Sequence, residues 1–337
     1  ILSTTTLTGA RKAKENLNKN SIHVYFPFDL KFICKKFINF YKPSILLLVE
    51  TEIWPNLINV FNEFKLPVVL VNGRLSNKSL KKYQRLNFFF KSSFNKINHA
   101  FVQSKNDFER FYEAGVKEDA MSVTGSIKFD ANSASPKNFN EHEINYYKEK
   151  YVFVCGSTHP GEEEILIESF IDLKKANKHL VLAPRHPERF NEIKELLKEK
   201  KLTSIFYTEI SSNPNDKSDV TIVNVIGRLL DFYEIADYVF IGGTLVDHGG
   251  QNFLEPAYFH KPIISGRSTY NFEEISKKLE DLDLLRFVSN KDEITHAIEN
   301  MEAISDHLIQ EIDLWLDESR GASKFKSQKI FKKFKLI

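Results

Sequence analysis

Short apolar, β-branched runs alternate with amphipathic helical patterns along nearly the whole chain. In the first part these runs are Ile22 to Phe26, Ile45 to Val49, Pro67 to Val71, Ala100 to Gln103 and Met121 to Thr124. In the second part they are Tyr151 to Cys155, His179 to Ala183, Ser204 to Tyr207, Val220 to Asn224, Tyr238 to Ile241, Pro262 to Ser265 and Arg286 to Ser289. A strand that is apolar on both faces has to be covered on both faces, which predicts parallel sheets flanked by helices. Two such series predict an α/β protein of two doubly wound, Rossmann-like domains facing a cleft. The small, polar stretch Asp130 to Pro136 reads as the break between them. That reading places an N-terminal domain at 1–135, a linker at 136–150 and a C-terminal domain at 151–337. The helical patterns after Lys291 end in the basic stretch Ser323 to Lys335, which is free to pack on either domain.

Composition narrows the class. With 337 residues, 42% of them hydrophobic, the chain can fill two cores. Cys34 and Cys155 are the only cysteines, too few for a disulfide framework, and are expected to be free thiols of a reducing compartment. No apolar run approaches the roughly 20 residues that cross a bilayer, and no signal peptide is evident. The net charge of +2 hides an asymmetry. Residues 1–130 hold 20 Lys and Arg against 11 Asp and Glu, leaving 27 against 34 in the remainder. No acidic residue lies between Glu63 and Asp107, where Arg74, Lys78, Lys81, Lys82 and Arg85 interleave with Leu80, Tyr83, Leu86, Phe88, Phe89 and Phe90. A basic, aromatic helical stretch suits an anionic membrane surface. A core helix with a solvated lysine face is the alternative, because Leu80, Tyr83, Phe90 and Phe94 all fit a core.

Candidate chemistry gathers where strands end. From Val239 to Pro256 an apolar run meets the pairs Gly242-Gly243 and Gly249-Gly250, and Asn252-Phe-Leu-Glu255-Pro256 then opens a helix. Loops and helix N-termini at the carboxyl edge of a parallel sheet offer N–H groups to an anion, so this loop is expected to grip an anionic ligand. An ordinary turn that merely needs positive φ is the alternative. The loop Gly156 to Glu164 reads as a well-capped helix start, with phosphate contact an open question. Strand His179 to Ala183 leads into Pro184-Arg185-His-Pro-Glu-Arg189, where Arg185 can fork onto a phosphate or a base carbonyl. Glu50 and Glu52 follow strand Ile45 to Val49 beside Trp54, and point to one side if the strand continues through them. Lys128 follows strand Met121 to Thr124 and is placed to neutralise a leaving phosphate, or is simply a solvated linker lysine. There is no Walker loop, no G-x-G-x-x-G, no zinc spacing and no hydrolase triad order, and Asp281-Leu-Asp283 reads as solvated surface. Chemistry without metal or cofactor is expected.

Taken together, these motifs resemble the 3-deoxy-D-manno-octulosonic acid (Kdo) transferases of lipopolysaccharide synthesis, which have a glycosyltransferase-B architecture. The matching segments are Thr4 to Gly9, His23 to Asp29, Glu50 to Leu57, Asn72 to Ser76, Val123 to Asp130, Ser157 to His159, Pro184 to Phe190, and Gly242 to Val246 with Asn252 to Glu255. They run in family order across nearly the whole chain. The resemblance implies inverting transfer of Kdo from CMP-Kdo to a hydroxyl of the tetra-acylated lipid A precursor, at the cytoplasmic face of a bacterial inner membrane, with no nucleic-acid partner. It implies that Pro184, Arg185, Ile226, Gly227, Arg228, Asn252, Phe253, Leu254 and Glu255 line the CMP site and that Glu50 and Lys128 stabilise the transition state. The basic face of Arg74, Lys78, Lys81, Lys82 and Arg85 then meets the acceptor and its membrane.

The chain departs from the family pattern in two places. A Gly-Glu pair carrying the general base, and the membrane anchor, would stand upstream of Ile1. Because the chain opens in what reads as mid-strand, a missing upstream segment is expected. Ile226-Gly227-Arg228 stands where the family has Met-Gly-Glu. Two other readings stay open at this level. One is a non-catalytic CMP-binding or membrane-docking relative, and the other a glycosyltransferase-B enzyme using another nucleotide sugar.

Overall fold

The computed structural model describes every residue except 131–135, 137, 214, 302–303 and 336–337, so most of the expected break at 130–136 lies outside the described residues. The chain divides into two compact units, Ile1–Ile127 with Gly321–Ile337, and Lys128–Arg320.

In the first unit, β1 (Leu2–Thr4) pairs in parallel with β2 (His23–Tyr25), and a second parallel sheet runs β3 (Leu46–Val49), β4 (Val68–Gly73), β5 (His99–Val102), β6 (Met121–Val123) in that order. Every apolar run anticipated in this half is a strand. Val68, Leu70, Ala100 and Val102 are sealed from solvent beneath the helices Pro55–Glu63 and Lys105–Ala114, which present Leu57, Ile58, Phe61 and Phe111 to them. Asp29 fixes the start of the Pro55–Glu63 helix by accepting from the Asn56 and Leu57 amides at 3.0 and 2.8 Å, an acid at the positive end of a helix.

The division differs from the expected 1–135, 136–150 and 151–337 at both ends. The C-terminal helix Ala322–Phe334 belongs to the first unit. Ile330 is buried against Val69 and Phe101, and the Lys326 ammonium, itself buried, donates to the Gly125 carbonyl at 2.7 Å. Lys333 donates to His99 Nδ1 at 2.8 Å, and His99 Nε2 lies 3.1 Å from the Ser122 hydroxyl. Burial first, then Lys333 and Lys329, pushes His99 down to about 4, so its ring is neutral and can accept from the lysine. The stretch 136–150 is likewise more than a linker. Glu141–Tyr147 is a helix opened by an Asn140–Glu143 capping box, and Phe139, Tyr146 and Tyr147 sit in the core of the second unit.

That second unit is one seven-stranded parallel sheet of β7 (Tyr151–Thr158), β8 (Lys178–Pro184), β9 (Ser204–Phe206), β10 (Val220–Ile222), β11 (Tyr238–Ile241), β12 (Ile263–Ser265) and β13 (Leu285–Phe287). Its order is β13-β12-β11-β7-β8-β10-β9. Separate apolar clusters cover its two faces, one containing Val154, Val181, Val239 and Ile263, the other Phe153, Leu180, Phe240 and Ile264. The alternation of side chains along each strand requires both covers.

Candidate functional site

The strand order locates the site. From β7 the chain places β8, then edge strand β9 and then β10 between them on one side, and crosses to β11 on the other, so β7 and β11 flank the topological switch point. Ligands of open α/β sheets bind at the carboxyl ends of the two strands that flank such a point. There the β7 loop (157–162) meets the β11 loop (242–253). Ser157 takes a left-handed φ of 57°, and Gly242 packs so close to the Ser157 backbone that a Cβ would lie 2.2 Å from its carbonyl oxygen. Gly249, with φ 79°, packs against the Tyr270 ring in the same way. These glycines are required by protein against protein.

The loop does grip an anion, and that anion is internal. Glu162 is fully buried, and its Oε2 accepts from the His159 and Gly243 amides at 2.9 and 2.7 Å. Its Oε1 accepts from the Thr244 and Leu245 amides at 2.9 and 3.0 Å. Burial pushes the Glu162 carboxyl up, and the four N–H donors pull against that shift. By sequence the loop Gly156 to Glu164 reads only as a well-capped helix start, with no sign that one of its acids is held by backbone amides. The local signal is real but incomplete, because three of the four donors come from a loop 81 to 83 residues away.

Around this nest, the two arginines after β8 separate by role. Arg189 forks onto Glu163 and Glu192, each at 2.7 Å, and is held inside the protein. Arg185 is exposed, and its backbone amide donates to the Thr158 carbonyl at 3.0 Å. Pro184 is buried as the last residue of β8. Asn252 Oδ1 accepts from the Leu254 amide at 3.1 Å while its Nδ2 donates to Glu255 at 3.0 Å, fixing the start of helix Leu254–Tyr258. Phe253 and Leu254 are sealed in the core. Lys128 donates to the Asn271 carbonyl at 3.0 Å and lies 3.9 Å above the Phe272 ring. Asn271 in turn bonds Gly249 O and His248 O, both at 2.9 Å. The structure therefore ties Lys128 to the glycine turn of the switch-point loop.

Other expected site residues fall elsewhere. Arg228 is caged: its Nε lies 2.8 Å from Asp231, its Nη2 3.5 Å from Glu143, and its guanidinium rests over the rings of Phe139 and Tyr207. Its charge is neutralised by partners within the protein, a surrounding that the expected CMP contact does not account for. Ile226 is 81% exposed and Gly227 makes a left-handed turn at φ 83°. In the first unit, β3 ends at Val49 and Glu50 turns at φ 58°, so the strand does not continue through Glu50 and Glu52 and the condition for their sharing a strand face is not met. Glu52 accepts from the Trp54 indole at 3.0 Å, while Thr51 bonds the Arg74 carbonyl.

The basic stretch forms helices Asn77–Arg85 and Asn87–Phe94. Leu80 and Phe94 are core, with Tyr83 and Phe90 packed against them. Lys78, Lys81, Lys82 and Arg85 are exposed beside Leu86, Phe88 and Phe89, and Phe88 is 99% exposed. Among the described residues no helix is long and apolar enough to cross a membrane. Cys34 and Cys155 are buried free thiols, and burial, helped by Asp29, pushes Cys34 up to about 11.

Two Rossmann-like units, one with its loops converging on a switch point, are the folds of the glycosyltransferase-B class. A likeness to the structure of Anabaena Alr3699/HepE in complex with UDP, at TM-score 0.59 and 11% identity over 93% of this chain and 86% of that one, agrees with this fold. The family model of 3-deoxy-D-manno-octulosonic-acid transferase (kdotransferase) matches residues 1–131. A 3-deoxy-D-manno-octulosonic acid transferase of Haemophilus influenzae is 34% identical over 302 residues, 88% of this chain and 70% of that protein. A bifunctional glycosyltransferase/methyltransferase of Fusobacterium nucleatum is 36% identical over 329 residues, 95% of this chain and 50% of that protein. The chain belongs to the 3-deoxy-D-manno-octulosonic acid transferase family. It spans half the length of the Fusobacterium relative.

Proposed function

We propose that this chain carries a Kdo transferase that moves Kdo from CMP-Kdo to a hydroxyl of the tetra-acylated lipid A precursor, with inversion at the transferred carbon. The observation that carries the reading is the family membership of nearly the whole chain, joined to a switch point with exposed Arg185 and Lys128 tied to its glycine turn. The donor's phosphate meets Arg185, whose guanidinium matches it in a bidentate fork. As the sugar–phosphate bond breaks, negative charge grows on the departing CMP, and the Lys128 ammonium offsets it. Glu50, on the turn after β3, supports positive character on the sugar or orients a charged partner. One phosphate needs less neutralisation than a diphosphate, so the reaction proceeds without a divalent metal.

In this reading the basic, aromatic pair of helices docks on the anionic cytoplasmic face of the inner membrane, inserting Leu86, Phe88 and Phe89 between headgroups. Lys78, Lys81, Lys82 and Arg85 attract those headgroups and the acceptor's own phosphates.

Calorimetry of the chain with CMP and UDP, with and without EDTA, tests the donor. Binding of CMP at least about tenfold tighter than UDP, insensitive to EDTA, is the expected result. A preference for UDP would move the reading to another nucleotide sugar.

A further inference from the structure

One group at the switch point remains unused. His159 follows β7 and is 6% exposed. Its Nδ1 lies 3.0 Å from the Ser157 carbonyl oxygen, which can only accept, so Nδ1 carries the proton. The ring is fixed from its face as well, stacked on exposed His248 with centroids 4.5 Å apart and planes 27° from parallel. Beneath it Gly243, at φ 71°, packs closely: a Cβ there would lie 3.2 Å from the imidazole, a contact the ring would have to yield to by a few tenths of an ångström. The opposite ring nitrogen, Nε2, has no hydrogen-bond partner among the described residues, yet it is not sealed from solvent.

The charged and titratable groups around the ring are His248, His186, Arg185 and the Glu162 carboxylate, the last 3.9 Å from Nδ1. Burial, then His248, holds the imidazole below its ordinary range, with the Ser157 carbonyl opposing. The ring is therefore neutral at neutral pH, and its Nε2 offers a lone pair. A lone pair repels a phosphate oxygen and accepts from a hydroxyl, so this atom is not a second anion site.

We propose that His159 Nε2 accepts a hydrogen bond from a hydroxyl of the bound nucleotide sugar, making His159 a specificity-determining residue of the donor pocket. The inference rests on the donor reading above. An acceptor beside the switch-point loops discriminates by its unmade bond: a bound ligand that excludes water but lacks the hydroxyl leaves Nε2 desolvated and empty. The hydroxyl belongs either to the transferred sugar or to the ribose.

The test uses the whole chain, two substitutions and two ligands. In His159→Asn the side-chain amide reaches only as far as Nδ1, keeping the bond to Ser157 and deleting the acceptor. In His159→Gln the amide reaches the Nε2 position. Titration with CMP-Kdo should show the Asn variant weakened roughly five- to tenfold, the cost of one neutral hydrogen bond, and the Gln variant within about threefold of wild type. Titration with CMP assigns the source, since an unchanged CMP affinity in the Asn variant places the hydroxyl on the transferred sugar and an equal loss places it on the ribose. Wild-type donor affinity in the Asn variant, or a Gln variant as weak as Asn, overturns the proposal and leaves His159 a packing residue. A wild-type chain that binds neither ligand overturns the donor reading, and this inference with it, which separates the two failures.

Discussion

Replacing Glu162 with glutamine changes one atom's chemistry and little volume, and the geometry sets the size of the loss. The carboxylate accepts four amide N–H groups, two on each oxygen. An amide has one oxygen, so two of the four donors would face an NH2 group that cannot accept. Hydrogen bonds to a charged group contribute about 1.5 to 3 kcal/mol each, and a buried donor left unmade costs about as much. Relief of the desolvation of a buried charge offsets part of the loss, leaving a net destabilisation of about 2 to 4 kcal/mol. Against a typical domain stability of about 5 to 15 kcal/mol, that is a large fraction. The two tryptophans make the measurement selective, because Trp54 lies in the first unit and Trp315 in the second, where it packs edge-on to Phe129 at 5.4 Å. In a Trp54→Phe background, urea unfolding followed by Trp315 fluorescence should show the whole loss for Glu162→Gln. The same substitution in a Trp315→Phe background should leave the Trp54 transition in place. A drop below about 1 kcal/mol in the second unit would refute the reasoning, since it would mean that the amides of 243–245 do not depend on this carboxylate.

His99 is held at about 4 in the folded chain against an ordinary 6.5, so the unfolded chain binds its proton first as pH falls, and stability drains away from about pH 6.5 down through 4. The Trp54 transition should weaken by about 2 kcal/mol between pH 7.5 and 4.5 once solvent screening is allowed for, and a His99→Gln variant should show a shallower slope. Arg228→Met should destabilise the second unit by about 2 kcal/mol, because it strands Glu143 and buried Asp231, while CMP affinity measured by calorimetry stays within about twofold of wild type. Charge reversal at Lys81, Lys82 and Arg85 together should cut flotation with anionic vesicles by at least about a hundredfold at low salt, at roughly 1 kcal/mol per basic residue. An unchanged flotation would remove the membrane role of this face.

The strands were legible because a run that is apolar on both faces has few stable uses. Each of the twelve anticipated runs is a strand in parallel pairing, and even the opening Leu2–Thr4 segment pairs with His23–Tyr25. Periodicity is a local signal, and it survives in local sequence. Satisfaction of polar groups is not local. The partner of the 243–245 amides, the Glu143 carboxylate beside Arg228 and the carbonyl that receives Lys326 lie 81 or more residues away in the chain, and no spacing rule points to them. The first glycine pair does mark a place where backbone amides converge on an anion, but three of those amides, from Gly243, Thr244 and Leu245, are taken by Glu162. That difference bears on the proposed reaction. The 243–245 amides are taken by Glu162, and in the proposed reaction exposed Arg185 with Lys128, held against the 271–272 turn, are cations that can meet the donor's phosphate there. Recognition by side-chain charges, unlike recognition by a rigid amide nest, can be retuned by single substitutions. The charge at 228 follows the same logic: its type suggests a ligand contact, and its neutralisation by Asp231 and Glu143 is not something the residue type alone could have said.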